Sequence, residues 1–386
     1  MNLGRIKYWA GRQWHNIPGW RTRRKIVVFE SDDWGSIRMP SREVYDLMHN
    51  KGYPVESLAS EKFDSIETTR DLQLLFDVLT RVKDKNANPA LFTANFIMTN
   101  PDFIKIRECN FSRYFGEDFI KTYEKSSGSE GVFRIIQKGI SEGLFHPQYH
   151  GYSHFNYAEW MNALQTNEKD AHIYFNFGMV GAMPPHSLPK SNPLVASLRF
   201  NNNEQFQEQR IKAIEGSRIF EKIFGFKSKS FIAPVYTWNS AIEAALASEG
   251  IKYIQSGRFQ IEPILPDGRI LRRKHFLGEK NQSGQIYLVR NVFFEPATDK
   301  YRDWIDSTLT AIKAGFFWRK PAIISTHRLN YMGKIHPENR QKNLSMLEEL
   351  LKTITSKWPD VEFMTTDQLG ALIAEDYNTN AVYSIS

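Results

Sequence analysis

Two adjacent acids, Asp32 and Asp33, follow a run of four apolar residues at 26–29 in "KIVVFESDDWG" that reads as a buried strand. Ionised about 5 Å apart, they repel by roughly 3 kcal/mol at an effective dielectric near 20. A surface pair sheds that cost into water, whereas a pair at the mouth of a sheet needs a cation or a proton to hold. The stretch "HPQYHGYSHFN", residues 146–156, spaces His146, His150 and His154 four apart. Histidines at i and i+4 project to one side of a helix or helical turn, a spacing suited to one metal ion. Pro147 and Gly151 break a continuous helix, so His150 and His154 are the better pair. With one aspartate they form a His₂–carboxylate set with open positions, which suits zinc and equally cobalt, nickel or manganese. The alternative is a pair of hydrogen-bonded structural histidines. A third stretch, "PAIISTHRLNY" at 321–331, ends a buried strand in Ser325, Thr326 and His327. A histidine there, with an ordinary pKa near 6.5, is placed to act as a general acid.

The elements that must position these residues alternate. Strands are expected at 26–29, 90–98, 145–149, 230–232, 251–255, 286–294, 322–326 and 361–365, and helices at 69–82, 209–224, 241–249, 301–313 and 344–357. Alternation of this kind predicts an α/β fold with a mostly parallel, barrel-like sheet, in which chemistry gathers at the strands' C-terminal ends. In 209–224, Ile211, Ile214, Ile219 and Ile223 read as one apolar stripe closed by Gly225. Residues 160–208, with "GAMPPHSLPKSNP", and 259–290, with "PDGR" and "NQSG", read as insertions flanking a substrate cleft. The expected organisation is a basic arm, 1–24, and a single barrel domain, 25–386.

An apolar fraction of 41% and an aromatic fraction of 13% describe a soluble globular chain, with no apolar run of membrane-spanning length. The single cysteine, Cys109, fits a reducing compartment, and the N-terminus lacks the apolar core of an export signal, so the expected location is cytoplasmic. The net charge is +7, and seven cations with no acid precede Glu30, so the body of the chain is neutral. That argues against a nucleic-acid-binding face. In the arm, Leu3, Ile6, Trp9, Ala10, Trp14 and Ile17 recur at helical spacing until Pro18-Gly19. Cations and tryptophans along one short helix suit peripheral contact, through residues 1–25, with anionic lipid on the inner face of a membrane. Packing of that helix against its own domain is the alternative.

Taken in order, "SDDWG", "HGYSH", "SFIAPVYTWN", "IISTH" and "VEFMTTDQL" resemble successive motifs of the polysaccharide deacetylases, the NodB-homology family of carbohydrate esterase family four, over roughly residues 25–373. The resemblance implies a deformed (β/α) barrel with loop insertions. It also implies metal-dependent removal of an acetyl group from an N-acetylated sugar in a polysaccharide or its precursor. Asp32 would be the catalytic base, and Asp33, His150 and His154 would hold a divalent metal, zinc foremost. His327 would be the acid, facing them from across the barrel. Trp34, Tyr152, Pro234, Tyr236 and Trp238 follow the motifs and would line the saccharide site, although aromatic residues there serve equally as core. A backbone N–H near Tyr236 would help hold the tetrahedral oxygen.

The chain also departs from the family pattern. Where many members carry Arg-x-Pro, it has Ile232-Ala233-Pro234, so the arginine that orients the base is absent there. No acid at 253–257 matches the family's partner for the acid histidine; Glu295 and Asp303 are candidates, and His146 is a further candidate for an orienting contact. Two other readings stand beside this one: a glycosidase of the same superfamily, which needs two carboxylates about 5–10 Å apart across a substrate, and a carbohydrate-binding protein with an inert metal site.

Overall fold

The computed structural model describes residues 16–181 and 193–383; the expected arm helix before Asn16 and most of the proline-rich 181–193 stretch lie outside them. Thirteen strands are present among the described residues: β1 (Lys25–Trp34), β2 (Phe92–Ile97), β3 (Thr99–Pro101), β4 (Gly116–Asp118), β5 (Phe145–Gly151), β6 (Ser230–Ile232), β7 (Tyr253–Ser256), β8 (Phe259–Ile264), β9 (Arg269–Lys274), β10 (Ile286–Val289), β11 (Val292–Phe293), β12 (Ala322–His327) and β13 (Val361–Phe363). The main sheet is parallel throughout, in the order β10-β7-β6-β5-β2-β1-β12-β11, with β13 paired to the start of β1. Helices such as Thr69–Thr80, Val132–Ser141, Asn203–Phe224 and Pro337–Lys357 cover its outer face. This is the α/β, deformed (β/α)-barrel architecture expected from the sequence.

The expected single strand 286–294 is two strands with a break at Arg290-Asn291. Its first half pairs with β7 and its second with β12, the opposite ends of the sheet path, so this one segment closes the barrel. At the break, Asn291 replaces ladder bonds with its side chain, donating to Pro321 O and accepting from Ile323 N.

Alternation along β1 explains why the strand outruns its apolar stretch. Val27 and Phe29 pack outward under the helices, while Ile26 and Val28 join Leu288, Ile323, Leu369 and Ile373 inside the barrel. Glu30 and Asp32 continue the inward face, fully buried, because a cation waits for them there.

The helix Asn203–Phe224 buries Phe206, Gln209, Ala213, Gly216, Ser217 and Phe220; of the expected isoleucine stripe, Ile219 and Ile223 pack half-buried against the core, whereas Ile211 is 59% exposed. Small residues decide the face: a Cβ at Gly216 would stand 2.3 Å from the Tyr149 hydroxyl, which itself donates to Ala213 O. Residues 259–290 hold the β8–β9 hairpin, and 160–208 begins with helices Tyr157–Gln165 and Lys169–Asn176 around Trp160 and Phe175.

The described part of the arm is tied to the barrel. Trp20 is buried and its indole N–H donates to Asp376, while Lys320 Nζ donates to the carbonyls of Pro18, Gly19 and Trp20. Arg24 pairs with Glu362 and Lys25 with Asp360, so these two arm cations are neutralised within the chain. Among the described residues, no helix is long and apolar enough to cross a membrane.

Candidate metal and acid–base centre

The cation demanded by the adjacent acids is Arg290, turned inward by the break that closes the barrel. It is 1% exposed and grips Asp32 through both terminal nitrogens, Nη1 to Oδ2 at 2.6 Å and Nη2 to Oδ1 at 2.7 Å. Its Nε donates to Glu30 at 2.6 Å, and Thr366 Oγ1 bonds the other Glu30 oxygen. Asn95 Nδ2 adds a third donor to Asp32, at 2.7 Å, and is itself paired with Gln255. Burial alone would raise the Asp32 carboxyl, but Arg290, with His150 and His327 nearby, holds it down at about 2. Burial raises Glu30 despite its share of the arginine. An arginine that fixes the Asp32 carboxylate is therefore present, delivered from the closing segment instead of from 232–234. An arginine inside the apolar run "IYLVRNVFF" was the available signal, since cations are rarely enclosed without partners.

Neighbouring residues of a strand face opposite ways, yet both aspartates reach the barrel mouth. The pairing of β1 with β2 slips between Ser31 and Trp34, and Asp33 adopts φ +75°, the left-handed region. That bulge turns Asp33 toward β5. There His150 is the penultimate residue of the strand, Gly151 closes it at φ +131°, and a bend returns His154, without the helical turn expected from the spacing. Asp33 Oδ1 lies 3.2 Å from His150 Nε2 and 2.9 Å from His154 Nε2, all three residues being buried. Burial favours the protonated acid at Asp33, but His154, His150 and Arg38 outweigh it and hold the carboxyl below its ordinary range. Burial also pushes His154 down to about 4, so at neutral pH it meets Asp33 as a neutral hydrogen-bond donor.

This donor set fits a divalent metal. His150 Nδ1 donates to Ile232 O at 3.0 Å, which leaves its Nε2 lone pair directed at a carboxylate oxygen. Two acceptors facing one another at 3.2 Å are reconciled only by a proton or a cation between them.

His327 is not across the barrel: β12 is the neighbour of β1, and Asp32 and His327 are register partners. His327 Nε2 lies 3.9 Å from Asp32 Oδ2, and its Nδ1 contacts Glu295 Oε1 at 2.6 Å. Asn330 fixes the other Glu295 oxygen. Burial would lower the imidazole, but Glu295 and the two aspartates raise it above its ordinary value. Asp303, the rival candidate, caps the helix Trp304–Phe317 by accepting from Asp306 N. His146 stands at the start of β5, away from His150, and pairs with Asp367.

Among the expected saccharide-lining residues, Trp34 and Trp238 are core. Trp34 packs edge-on to Phe145, and Trp238 donates to Glu243 and stacks near His275, both fully buried. Tyr152 is 8% exposed beneath Lys212, and Pro234 is buried beside Gly151. Tyr236 does reach the centre, its hydroxyl 3.4 Å from Arg290 Nη1. Its backbone N–H is engaged by Ala233 O at 3.0 Å. Val235, a β-branched residue at φ +47° and 47% exposed, is a conformational outlier at this turn.

No protein-family profile matches the chain, and no curated protein matches it in sequence. Its fold is similar to several solved structures at low identity. A protein provisionally named as a polysaccharide deacetylase from Mycobacterium smegmatis aligns with TM-score 0.45 and 11% identity, covering 93% of this chain and 94% of that one. The 4-α-glucanotransferase of Thermococcus litoralis aligns with TM-score 0.44 and 9% identity, over 89% of this chain and 40% of that one. The peptidoglycan deacetylase PdaC of Bacillus subtilis aligns with TM-score 0.38 and 10% identity, over 93% and 96%.

Proposed function

We propose that the protein is a metal-dependent hydrolase that removes an acetyl group from an N-acetylated sugar in a polysaccharide or its precursor, with zinc as the metal. One observation carries the reading: Asp33, His150 and His154 converge at the barrel mouth, beside the register pair Asp32–His327. A divalent ion held by that triad supplies Lewis acidity toward a carbonyl and acidifies water. Arg290 keeps Asp32 ionised at neutral pH, and three N–H donors fix the carboxylate plane, so its remaining Oδ2 lone pair accepts a proton in one direction only. His327 keeps its proton at neutral pH with Glu295 at Nδ1 and presents Nε2 to a departing amine. A glycosidase would need a second unengaged carboxylate across the substrate. Glu295 is committed to His327 and Asn330, and Glu30 to Arg290 and Thr366.

The test is acetate release from a panel of N-acetylated oligosaccharides by zinc-loaded protein, with product sizing. Asp33→Asn is expected to lose zinc and activity together, and Asp32→Asn to keep zinc and lose turnover. Full deacetylation by either variant, or shortened sugar without acetate, would refute the assignment.

A further inference from the structure

Arg38 lies beside the triad in an arrangement that zinc chemistry cannot share. Its Nη2 is 2.9 Å from His154 Nδ1 and 3.5 Å from Asp33 Oδ2. A guanidinium only donates, so His154 Nδ1 must accept. A neutral imidazole then carries its proton on Nε2, the atom that faces Asp33. That proton sits on the lone pair a metal needs, and the guanidinium places a positive charge next to the same carboxylate.

The structure also holds a second station for this side chain. Arg38 Nε and Asp64 Oδ2 are 3.5 Å apart but misaligned, and both atoms are buried without a hydrogen-bond partner. Asp64 is held in place for that contact: its Oδ1 accepts from Arg328 Nε at 2.9 Å, and Arg328 Nη1 is anchored on Glu67 at 2.8 Å. A small shift of Arg38 toward Asp64 would satisfy both orphaned atoms and free His154 Nδ1 to take the proton.

We infer that Arg38 is a positioning residue with two stations, His154 and Asp64, and that its transfer from the first to the second gates metal binding at the Asp33–His150–His154 triad. The inference rests on the proposed metal site. The Nη2 contacts to His154 Nδ1 and, at 3.5 Å, to Asp33 Oδ2 are exchanged for Nε–Oδ2, which satisfies two buried atoms that otherwise lack partners.

The experiment is zinc affinity, measured by competition with a chromogenic chelator, for the full chain and for Arg38→Met and Asp64→Asn. Arg38→Met is expected to bind zinc more tightly, by about tenfold or more, the usual reach of residues that hold a metal ligand's far side. Asp64→Asn, which weakens the second station, is expected to bind less tightly. On the unaltered protein, nitrogen-15 NMR of labelled histidines is expected to show the His154 proton moving from Nε2 to Nδ1 on zinc loading. That readout decides the matter if either variant fails to fold. Equal or weaker affinity in Arg38→Met, or an unchanged His154 tautomer, overturns the gate alone. Failure of the unaltered protein to bind zinc, to the same degree as Asp33→Asn, overturns the metal site and the gate together.

Discussion

Replacing Arg290 with methionine isolates what the buried arginine does. The side chain is fully enclosed and is the cation bonded to two enclosed carboxylates, Glu30 and Asp32, so its removal strands both. Breaking a buried pair from one side costs about 3–5 kcal/mol. The hold on Asp32 gives a second route to the magnitude: a carboxyl kept at about 2 against an ordinary 3.8 represents roughly 2.5 kcal/mol of preference for the ionised folded form. In the native protein this contribution is present above pH 3.8 and is lost as pH falls through about 2. In Arg290→Met both carboxyls are raised by uncompensated burial, so the penalty is largest at pH 7–8 and shrinks as acid neutralises them. The assay is urea unfolding of native and variant protein at pH 8 and pH 5. We expect a deficit of about 3–5 kcal/mol at pH 8 that narrows clearly at pH 5. A deficit below about 1 kcal/mol, or one independent of pH, would refute the claim that Arg290 neutralises the barrel's acids.

Glu295→Gln removes the group that raises His327. The native imidazole holds its proton past its ordinary value, so the alkaline limb of turnover should lie above that value and move to lower pH in the variant. Stability follows the same sign: the His327–Glu295 contribution is complete below the unfolded histidine value and is lost as pH rises through the raised folded one, so melts of the two proteins should converge at high pH. Gly216→Ala puts a methyl 2.3 Å from the Tyr149 hydroxyl and should cost about 1–3 kcal/mol by thermal unfolding, with zinc content unchanged.

The residues of the candidate centre were legible because their spacing is local: Asp32-Asp33 at the end of an apolar strand, and His150 and His154 four apart. Arg290 was not, because it grips Asp32 from 258 positions away and from a strand whose break cannot be read from its apolar run. Glu295 was narrowed to two candidates, and only the helix start at Trp304 separates them by claiming Asp303 as its cap. The tryptophans were misread for a reason of geometry. Being close to a motif in sequence does not set a side chain's face, and Trp34 and Trp238 both turn away from the mouth into the core. The helix Asn203–Phe224 shows the same limit, since its seat is set by Phe206 and Phe220 together with the close approach at Gly216 and Ala213, which leaves Ile211 exposed.

The central claim is that one divalent ion is shared by Asp33, His150 and His154. Crystals of the full chain grown with zinc, with anomalous diffraction recorded at the zinc edge, test it directly. Shared coordination predicts a single strong peak about 2.0–2.2 Å from an Asp33 oxygen and from Nε2 of both histidines. A peak bound elsewhere, or none while the three side chains keep their contacts to one another, would contradict it.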